Sequence, residues 1–155
     1  MKYQIGQTLI EVLVALGAAI IVATAITVAI VSALNNAQFT KNQNLANQYA
    51  GQGMEIVRQL RDSRSSLSSY DNIFYCLAQN STNLSARGAN GCGQNFGIFS
   101  REVNIENNSS SCANNTKASI LVSWSDGNCT SSSNTLCHQI KLISCFSSAA
   151  TIQIP

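Results

Sequence analysis

Charged side chains are scarce in this sequence. Asp, Glu, Lys and Arg make up 10% of its 155 residues, against about 25% in typical soluble domains. The net charge of +2 is too small to indicate a nucleic-acid or acidic-substrate partner. Histidine occurs once, at His138, and no G-x-S-x-G, H-E-x-x-H or phosphate-cradling glycine loop is present. We therefore predict a surface position for His138, and a protein that is not an enzyme and uses no cofactor or metal.

A long apolar run without any charge lies near the N-terminus, from Val12 to Leu34. As an α-helix it would be roughly 34 Å long at about 1.5 Å per residue, which is enough to cross a hydrocarbon core of about 30 Å. Lys2 is the single basic residue before this run and favours a cytoplasmic N-terminus. The sequence predicts a short leader over residues 1–6 and a membrane-spanning helix over 7–34.

One carboxylate, Glu11, stands at the start of the apolar run. A carboxylate in a transmembrane segment costs roughly 2–3 kcal/mol, less near the interface, and usually faces a partner. In a secretory signal peptide the apolar core is shorter, and the cleavage site follows it. In this chain the small residue that could mark a cleavage site, Gly6, precedes the apolar run. Cleavage after Gly6 would create an α-amine on Gln7 that could pair with Glu11 of a neighbouring helix. An uncleaved single-pass anchor is the alternative.

The residues from Gly6 to Gly17, GQTLIEVLVALG, resemble the processing site of type IV prepilins and of type II secretion pseudopilins. The resemblance implies that a prepilin peptidase cuts between Gly6 and Gln7 and methylates the new N-terminal residue, Gln7. It also implies that Glu11 guides assembly with other pilin subunits through the N-terminal helix. The family most often has Phe after the glycine, where this chain has Gln7.

Residues 35–62 contain no proline, and their apolar positions recur mostly at three- or four-residue steps. This spacing predicts an amphipathic continuation of the helix. The apolar stripe consists of Leu45, Tyr49, Gly53, Ile56, Val57 and Leu60. A glycine on that stripe allows the backbone of a sheet to approach closely. The pilin resemblance implies the same arrangement, with the second half of the helix packed on a globular domain.

Cysteine is absent from the membrane segment and the helix after it, and all six cysteines follow later in the chain. They are Cys76, Cys92, Cys112, Cys129, Cys137 and Cys145. An even count in the distal part predicts disulfides and an oxidising compartment. Zinc ligation would need close pairs such as C-x₂-C, and the spacings provide none. About 15 pairings are open, and Cys129–Cys137 is favoured because the two residues bracket a polar loop.

Three distal segments have the alternation and the β-branched and aromatic residues of strands. They run from Phe96 to Ile105, from Ala118 to Ser125 and from Leu136 to Phe146. Residues 72–96 are predicted to connect the helix to the sheet. Arg101 falls on the apolar face of the first strand, and we expect it to snorkel at a sheet edge. The predicted fold is α+β, with a long N-terminal helix packed on a small antiparallel, disulfide-stabilised β domain over 63–155.

These features predict a structural subunit of a type IV pilus-like filament. Many major pilins have a proline in the second half of the span, which this chain lacks, so a minor pilin or pseudopilin is favoured. Before assembly it would cross the cytoplasmic membrane once, with its N-terminus in the cytoplasm, and afterwards it would lie in an extracellular or periplasmic filament. The alternatives are a competence-type DNA-binding pilin or tip adhesin, and a single-pass surface protein that never polymerises. Nucleic-acid binding has little support, because the distal domain has few basic residues, among them Arg87, Arg101, Lys117 and Lys141.

Overall fold

The computed structural model describes residues 5–64, 67–70, 72–89, 91–126, 129 and 137–147. In these residues one α-helix, α1, runs from Ile5 to Arg64, and it is followed by five strands and by two short 3₁₀ helices, Ser68–Tyr70 and Ser110–Cys112. The strands are β1 (Phe74–Cys76), β2 (Ser85–Ala86), β3 (Phe99–Ser109), β4 (Asn115–Trp124) and β5 (His138–Phe146). The predicted α+β fold is confirmed. The chain divides into two compact units, Met1–Lys41 and Asn42–Pro155.

In the first unit, α1 is helical although Val and Ile are abundant in it. These residues are mediocre helix formers in water, but a helix satisfies its own backbone polar groups, as an apolar environment requires. The hydroxyl groups of the two threonines in this part of α1 are also hydrogen-bonded within the helix. Thr24 donates a hydrogen bond to the carbonyl of Ile21, and Thr27 donates to the carbonyl of Ala23, each at 2.8 Å. This part of α1 therefore directs little hydrogen-bonding capacity outwards.

The second unit contains the end of α1 and one sheet, with strand order β2-β1-β3-β4-β5 and antiparallel neighbours throughout. The three predicted strands correspond to β3, β4 and β5. The first begins at Phe99, later than predicted, because Gly97 has a left-handed φ of 62° and Phe96 and Phe99 exchange backbone hydrogen bonds across a tight turn. The connecting region over 72–96 contains β1 and β2, which sequence analysis missed.

The core of the second unit lies between the buried face of α1 and one face of the sheet. The helix contributes Ala46, Ala50, Met54, Val57 and Leu60, and the sheet contributes Val103, Ile105, Ile120, Val122 and Trp124. All ten are at most 7% exposed. Of the predicted stripe, Gly53, Val57 and Leu60 are buried, whereas Leu45, Tyr49 and Ile56 are only half-buried. The buried face of α1 is therefore turned slightly from the predicted one, towards Ala46, Ala50 and Met54. Burying both apolar surfaces against each other is the main favourable term in holding the helix to the sheet.

Gly53 is a point of close approach between α1 and the sheet. A Cβ at this position would lie 3.2 Å from Cγ2 of Ile120 and 3.4 Å from Cδ of Arg101. Gly51, on the opposite side of the same turn, has nothing within 4 Å of such a Cβ. The sheet therefore does come close to Gly53, but through the side chains of Ile120, Arg101 and Leu77 and not through its backbone, as the sequence had suggested.

This pair of glycines allows a matched test of packing. Gly53→Val should destabilise the domain by about 1–3 kcal/mol, because the added methyl groups overpack the contact with Ile120. Gly51→Ala should stabilise it by up to about 1 kcal/mol, because it improves helix propensity without a clash. Denaturant unfolding of the two full-length variants measures both changes. Equal midpoints for the two would contradict the close contact at Gly53.

All six cysteines form disulfides, and none is free. Cys76 is bonded to Cys92, Cys112 to Cys145, and Cys129 to Cys137. The last pair is the one that sequence analysis favoured. The first ties β1 to the segment before β3, and the second ties the turn after β3 to β5. Each bond closes a loop within a small domain, which reduces the conformational freedom of its unfolded state.

Arg101 lies in the centre of the sheet, so the expectation that it snorkels at an edge was wrong. Its strand, β3, is flanked by β1 and β4, and Arg101 is only 1% exposed. The guanidinium donates hydrogen bonds to the carbonyls of Leu77 at 3.0 Å, Ala78 at 3.1 Å and Tyr49 at 3.2 Å. It also lies 4.5 Å from the ring centre of Phe96. Burial lowers the pKa of Arg101, while the carbonyl dipoles and the ring offset part of the cost of burying the charge.

Candidate assembly surface

The first part of α1 presents an apolar surface on all sides. Every large apolar side chain from Leu9 to Leu34 is more than half exposed, with values from 52% at Val31 to 70% at Ile21 and Val28. A helix that is apolar all round is typical of a membrane span or of a core enclosed by other chains. By length and composition, α1 can cross a membrane. Exposed apolar surfaces of this extent are typical of sites that contact a membrane or another protein.

Glu11 is the one charged residue on this surface. No other charged residue occurs between it and Lys41, and it is exposed beside the apolar side chains of Ile10 and Val12. Among the residues that the structure describes, Glu11 has no ion pair or hydrogen bond from its side chain. Moving the charged carboxylate into lipid or a protein interior costs free energy, and a partner of opposite charge would offset that cost.

Gly6 and Gln7 lie in the same continuous helix as Glu11, close to its start at Ile5. Gln7 and Glu11 are four residues apart, which is about one helical turn and roughly 6 Å along the axis. They therefore lie on the same side of α1. Two parallel helices displaced by about one turn would bring residue 7 of one level with residue 11 of the other.

A second group of chemically capable residues lies at the end of the β4–β5 hairpin. The ladder between the two strands ends where Trp124 pairs with His138. Asp126 follows β4, and its Oδ2 lies 3.0 Å from Nε2 of His138. The rings of His138 and Trp124 are 5.4 Å apart. His138 is thus part of a packed, paired cluster, which differs from the plain surface histidine expected from the sequence.

Sequence analysis missed this cluster, although one signal for it was present. Asp126–Gly127 is a turn dipeptide between two strands, and a hairpin places the residue after one strand next to the first residue of the other. The same geometry brings in Cys129 and Cys137. One side-chain atom from each of these two cysteines, Asp126 and His138 lies within 4.8 Å of the others, and the two sulfur atoms are bonded to each other.

The basic residues of the distal domain are mostly occupied within it. Nε of Arg87 lies 3.4 Å from Oε1 of Glu102, and Nζ of Lys117 pairs with Oε2 of Glu106. Hydrogen bonding to Lys117 is the largest cause that lowers the pKa of Glu106. Because Arg101 is buried as well, these residues offer little free positive charge to a polyanion such as DNA.

The fold and this surface define a class of protein. It is an α+β protein with an N-terminal helix compatible with membrane anchoring and a domain closed by three disulfides. Such bonds are typical of domains outside the cytoplasm. Comparisons with protein-family models, curated protein sequences and solved structures found no match to this chain.

Proposed function

We propose that this chain is a structural subunit, a minor pilin or pseudopilin, of a type IV pilus-like filament. The observation that carries the proposal is a helix surface, exposed and apolar on all sides from Leu9 to Leu34, with a single carboxylate at its start. A simple anchor has no need of Glu11. A helix that must register against identical or related helices gains a specific contact from it.

In this proposal, the helix has two environments in turn. Before assembly, α1 crosses the cytoplasmic membrane with its N-terminus in the cytoplasm, and lipid covers the apolar side chains. During assembly it leaves the bilayer, and the helices of neighbouring pilin subunits cover the same side chains. The apolar side chains are covered in both states, by lipid in the membrane and by neighbouring helices in the filament. Neither state therefore exposes them to water.

The charge of Glu11 is balanced by processing. A prepilin peptidase cuts after Gly6, which exposes the α-amine of Gln7, and the amine is then methylated. That amine pairs with Glu11 of the neighbouring subunit when two helices are displaced by about one turn. Without the cut, Gln7 has a neutral peptide nitrogen, and the carboxylate lacks this partner. In this role the chain catalyses no reaction itself.

The N-terminus of the mature protein tests this proposal. In cells with an active prepilin peptidase, intact-mass and peptide mass spectrometry should find a chain that begins at Gln7 and carries one added methyl group. Gly6→Leu should block the cut, because a bulky residue replaces the small one before the scissile bond. Ile5→Val changes a neighbouring residue conservatively and should be processed normally.

Two results would contradict the proposed processing. One is a wild-type chain that still begins at Met1 in cells whose prepilin peptidase processes its other substrates. The other is a new N-terminus located after the apolar run, which would indicate an ordinary signal peptide. In either case Gln7 would supply no α-amine for Glu11.

A further inference from the structure

The face of the sheet that is turned away from α1 has a polar cavity of about 270 Å³. Its floor includes Asn104 of β3 and Ser119 of β4, which lie opposite each other in the ladder between the two strands. The walls are longer side chains two residues away along these strands, among them Glu102, Leu121 and Glu106. Short side chains between longer ones therefore create a depression on the sheet that can hold a small ligand.

The two polar side chains on this floor are enclosed but have no hydrogen-bond partner within the protein. Asn104 is 8% exposed and Ser119 is 6% exposed, and neither side chain makes a hydrogen bond to any residue that the structure describes. An enclosed amide or hydroxyl loses free energy unless a new hydrogen bond replaces its contacts with bulk water. Both groups can donate and accept. A ligand hydroxyl, which also does both, is therefore the partner that suits them.

The charged groups around the cavity leave one cation without a carboxylate of its own. Arg87 lies 3.4 Å from Glu102, and Lys117 pairs with Glu106. Lys141 lines the cavity, is exposed, and forms no ion pair with the described residues. Hydrogen bonding to Lys117 is the main cause that lowers the pKa of Glu106, and Lys141 adds only a longer-range attraction. The cavity can therefore accept one negative charge, and a ligand carboxylate would form a charge-assisted hydrogen bond with Lys141.

Apolar contact is available in the same cavity. Leu121 and Phe74 both line it. The guanidinium of Arg87 lies 5.3 Å from the ring centre of Phe74 and covers part of it, but Phe74 is still 43% exposed. Small-molecule sites combine such apolar walls with a few well-placed polar groups. A ligand with both hydroxyls and a face of C–H groups matches this lining.

We propose that this cavity binds a uronic acid, a sugar ring that carries several hydroxyls and one carboxylate. The carboxylate pairs with Nζ of Lys141, and the hydroxyls bond to the side chains of Asn104 and Ser119. The C–H face of the ring packs on Leu121. The volume lies just below the range of roughly 300–1,000 Å³ that is usual for drug-sized ligands, which suits a single sugar ring. This role leaves the apolar surface of α1 unused and is independent of filament assembly.

The test uses the ¹⁵N-labelled full-length chain in micelles of a detergent without a sugar headgroup. Methyl glycosides of glucuronate, galacturonate and mannuronate are titrated, each beside its neutral parent sugar, and NMR follows the side-chain amide of Asn104 and the backbone amide of Ser119. At least one uronate should give saturable shifts and bind at least about tenfold more tightly than its neutral parent. A trisaccharide of that uronate should bind more tightly than the single sugar if the ligand is a polysaccharide, and less tightly if it is the free sugar.

Two variants separate the roles of the hydroxyl and the charge. Ser119→Ala should weaken binding of that uronate at least about fivefold without lowering stability to denaturant, because its hydroxyl has no partner inside the protein. Lys141→Gln should remove the preference for the uronate over the neutral sugar. The matched controls are Ser123→Ala, on the same face of β4 outside the cavity, and Lys41→Gln, at an exposed position on α1. Both should bind like the wild type.

Three results would overturn the proposal. The first is the absence of saturable shifts at Asn104 and Ser119 with all three uronates. The second is equal affinity for acetate, which would show that Lys141 attracts any carboxylate and that the hydroxyls contribute nothing. The third is displacement of the uronate by an equal concentration of a short acidic peptide, which would indicate a protein partner at this face.

Discussion

Replacing Glu11 by Ala should lower the amount of this chain in filaments at least about tenfold. In the proposed filament, the carboxylate pairs with the α-amine of Gln7 of a neighbouring subunit, away from water. Removing one member of a buried ion pair costs about 3–5 kcal/mol, and about 1.4 kcal/mol already corresponds to a factor of ten. Immunoblots of sheared filaments and of membranes, from cells with equal total amounts of the chain, measure the ratio.

Thr24→Val is a suitable control for this experiment, because the hydroxyl of Thr24 bonds within its own helix to Ile21. Its loss leaves the outer surface of α1 nearly unchanged, so incorporation should stay close to that of the wild type. Glu11→Gln keeps the shape of the side chain without its charge and should behave like Glu11→Ala. Normal incorporation of Glu11→Ala would refute the assembly role. Absence of the wild type from filaments would favour a single-pass protein that does not polymerise.

Replacing Arg101 by Ala should destabilise the distal domain by at least about 3 kcal/mol. Three hydrogen bonds from the guanidinium to the carbonyls of Leu77, Ala78 and Tyr49 are lost, and a hydrogen bond to a charged group contributes about 1.5–3 kcal/mol. The carbonyl of Ala78 still accepts from the N–H of Ser81. The truncation also leaves a cavity beside Gly53 and Phe96. Guanidinium unfolding with the disulfides intact measures the change, followed by the fluorescence of the buried Trp124.

Arg58→Ala is the matched control, because it makes the same change on the exposed face of α1. Arg58 pairs with Glu55 at 3.3 Å, and both side chains are at least half exposed, so its loss should cost less than about 1 kcal/mol. Arg101→Met keeps much of the volume and should recover part of the stability, while the carbonyls still lack their donor. If Arg101→Ala unfolds at the same midpoint as Arg58→Ala, the buried network does not stabilise the domain.

The elements that were predicted correctly are those with a clear local pattern. The amphipathic stripe of α1 repeats over many residues, and β4 alternates through Ile120, Val122 and Trp124, so both were evident from the sequence. By contrast, β1 and β2 span three and two residues, which is too short for any period. Their strand character depends on pairing with β3, and this pairing is a tertiary contact.

Arg101 and His138 were misjudged for a related reason. The alternation of β3 placed Arg101 on the apolar face, but alternation contains no information on which strands flank β3. Because β3 is central, the charged side chain is enclosed and meets carbonyls from α1 and from the segment after β1. The partial burial of His138 likewise depends on Trp124, its partner across the ladder.

The sequence by itself determined the long apolar helix, the position of Glu11 on it and the three main strands. These features depend on composition and on the spacing of residues near one another in the chain. Only the tertiary structure decided the pairing of the other four cysteines besides Cys129 and Cys137, the enclosure of Arg101 and the meeting of Asp126 with His138. Each of these depends on which distant segments pack together, and that is decided by the burial of whole surfaces, which local patterns do not specify.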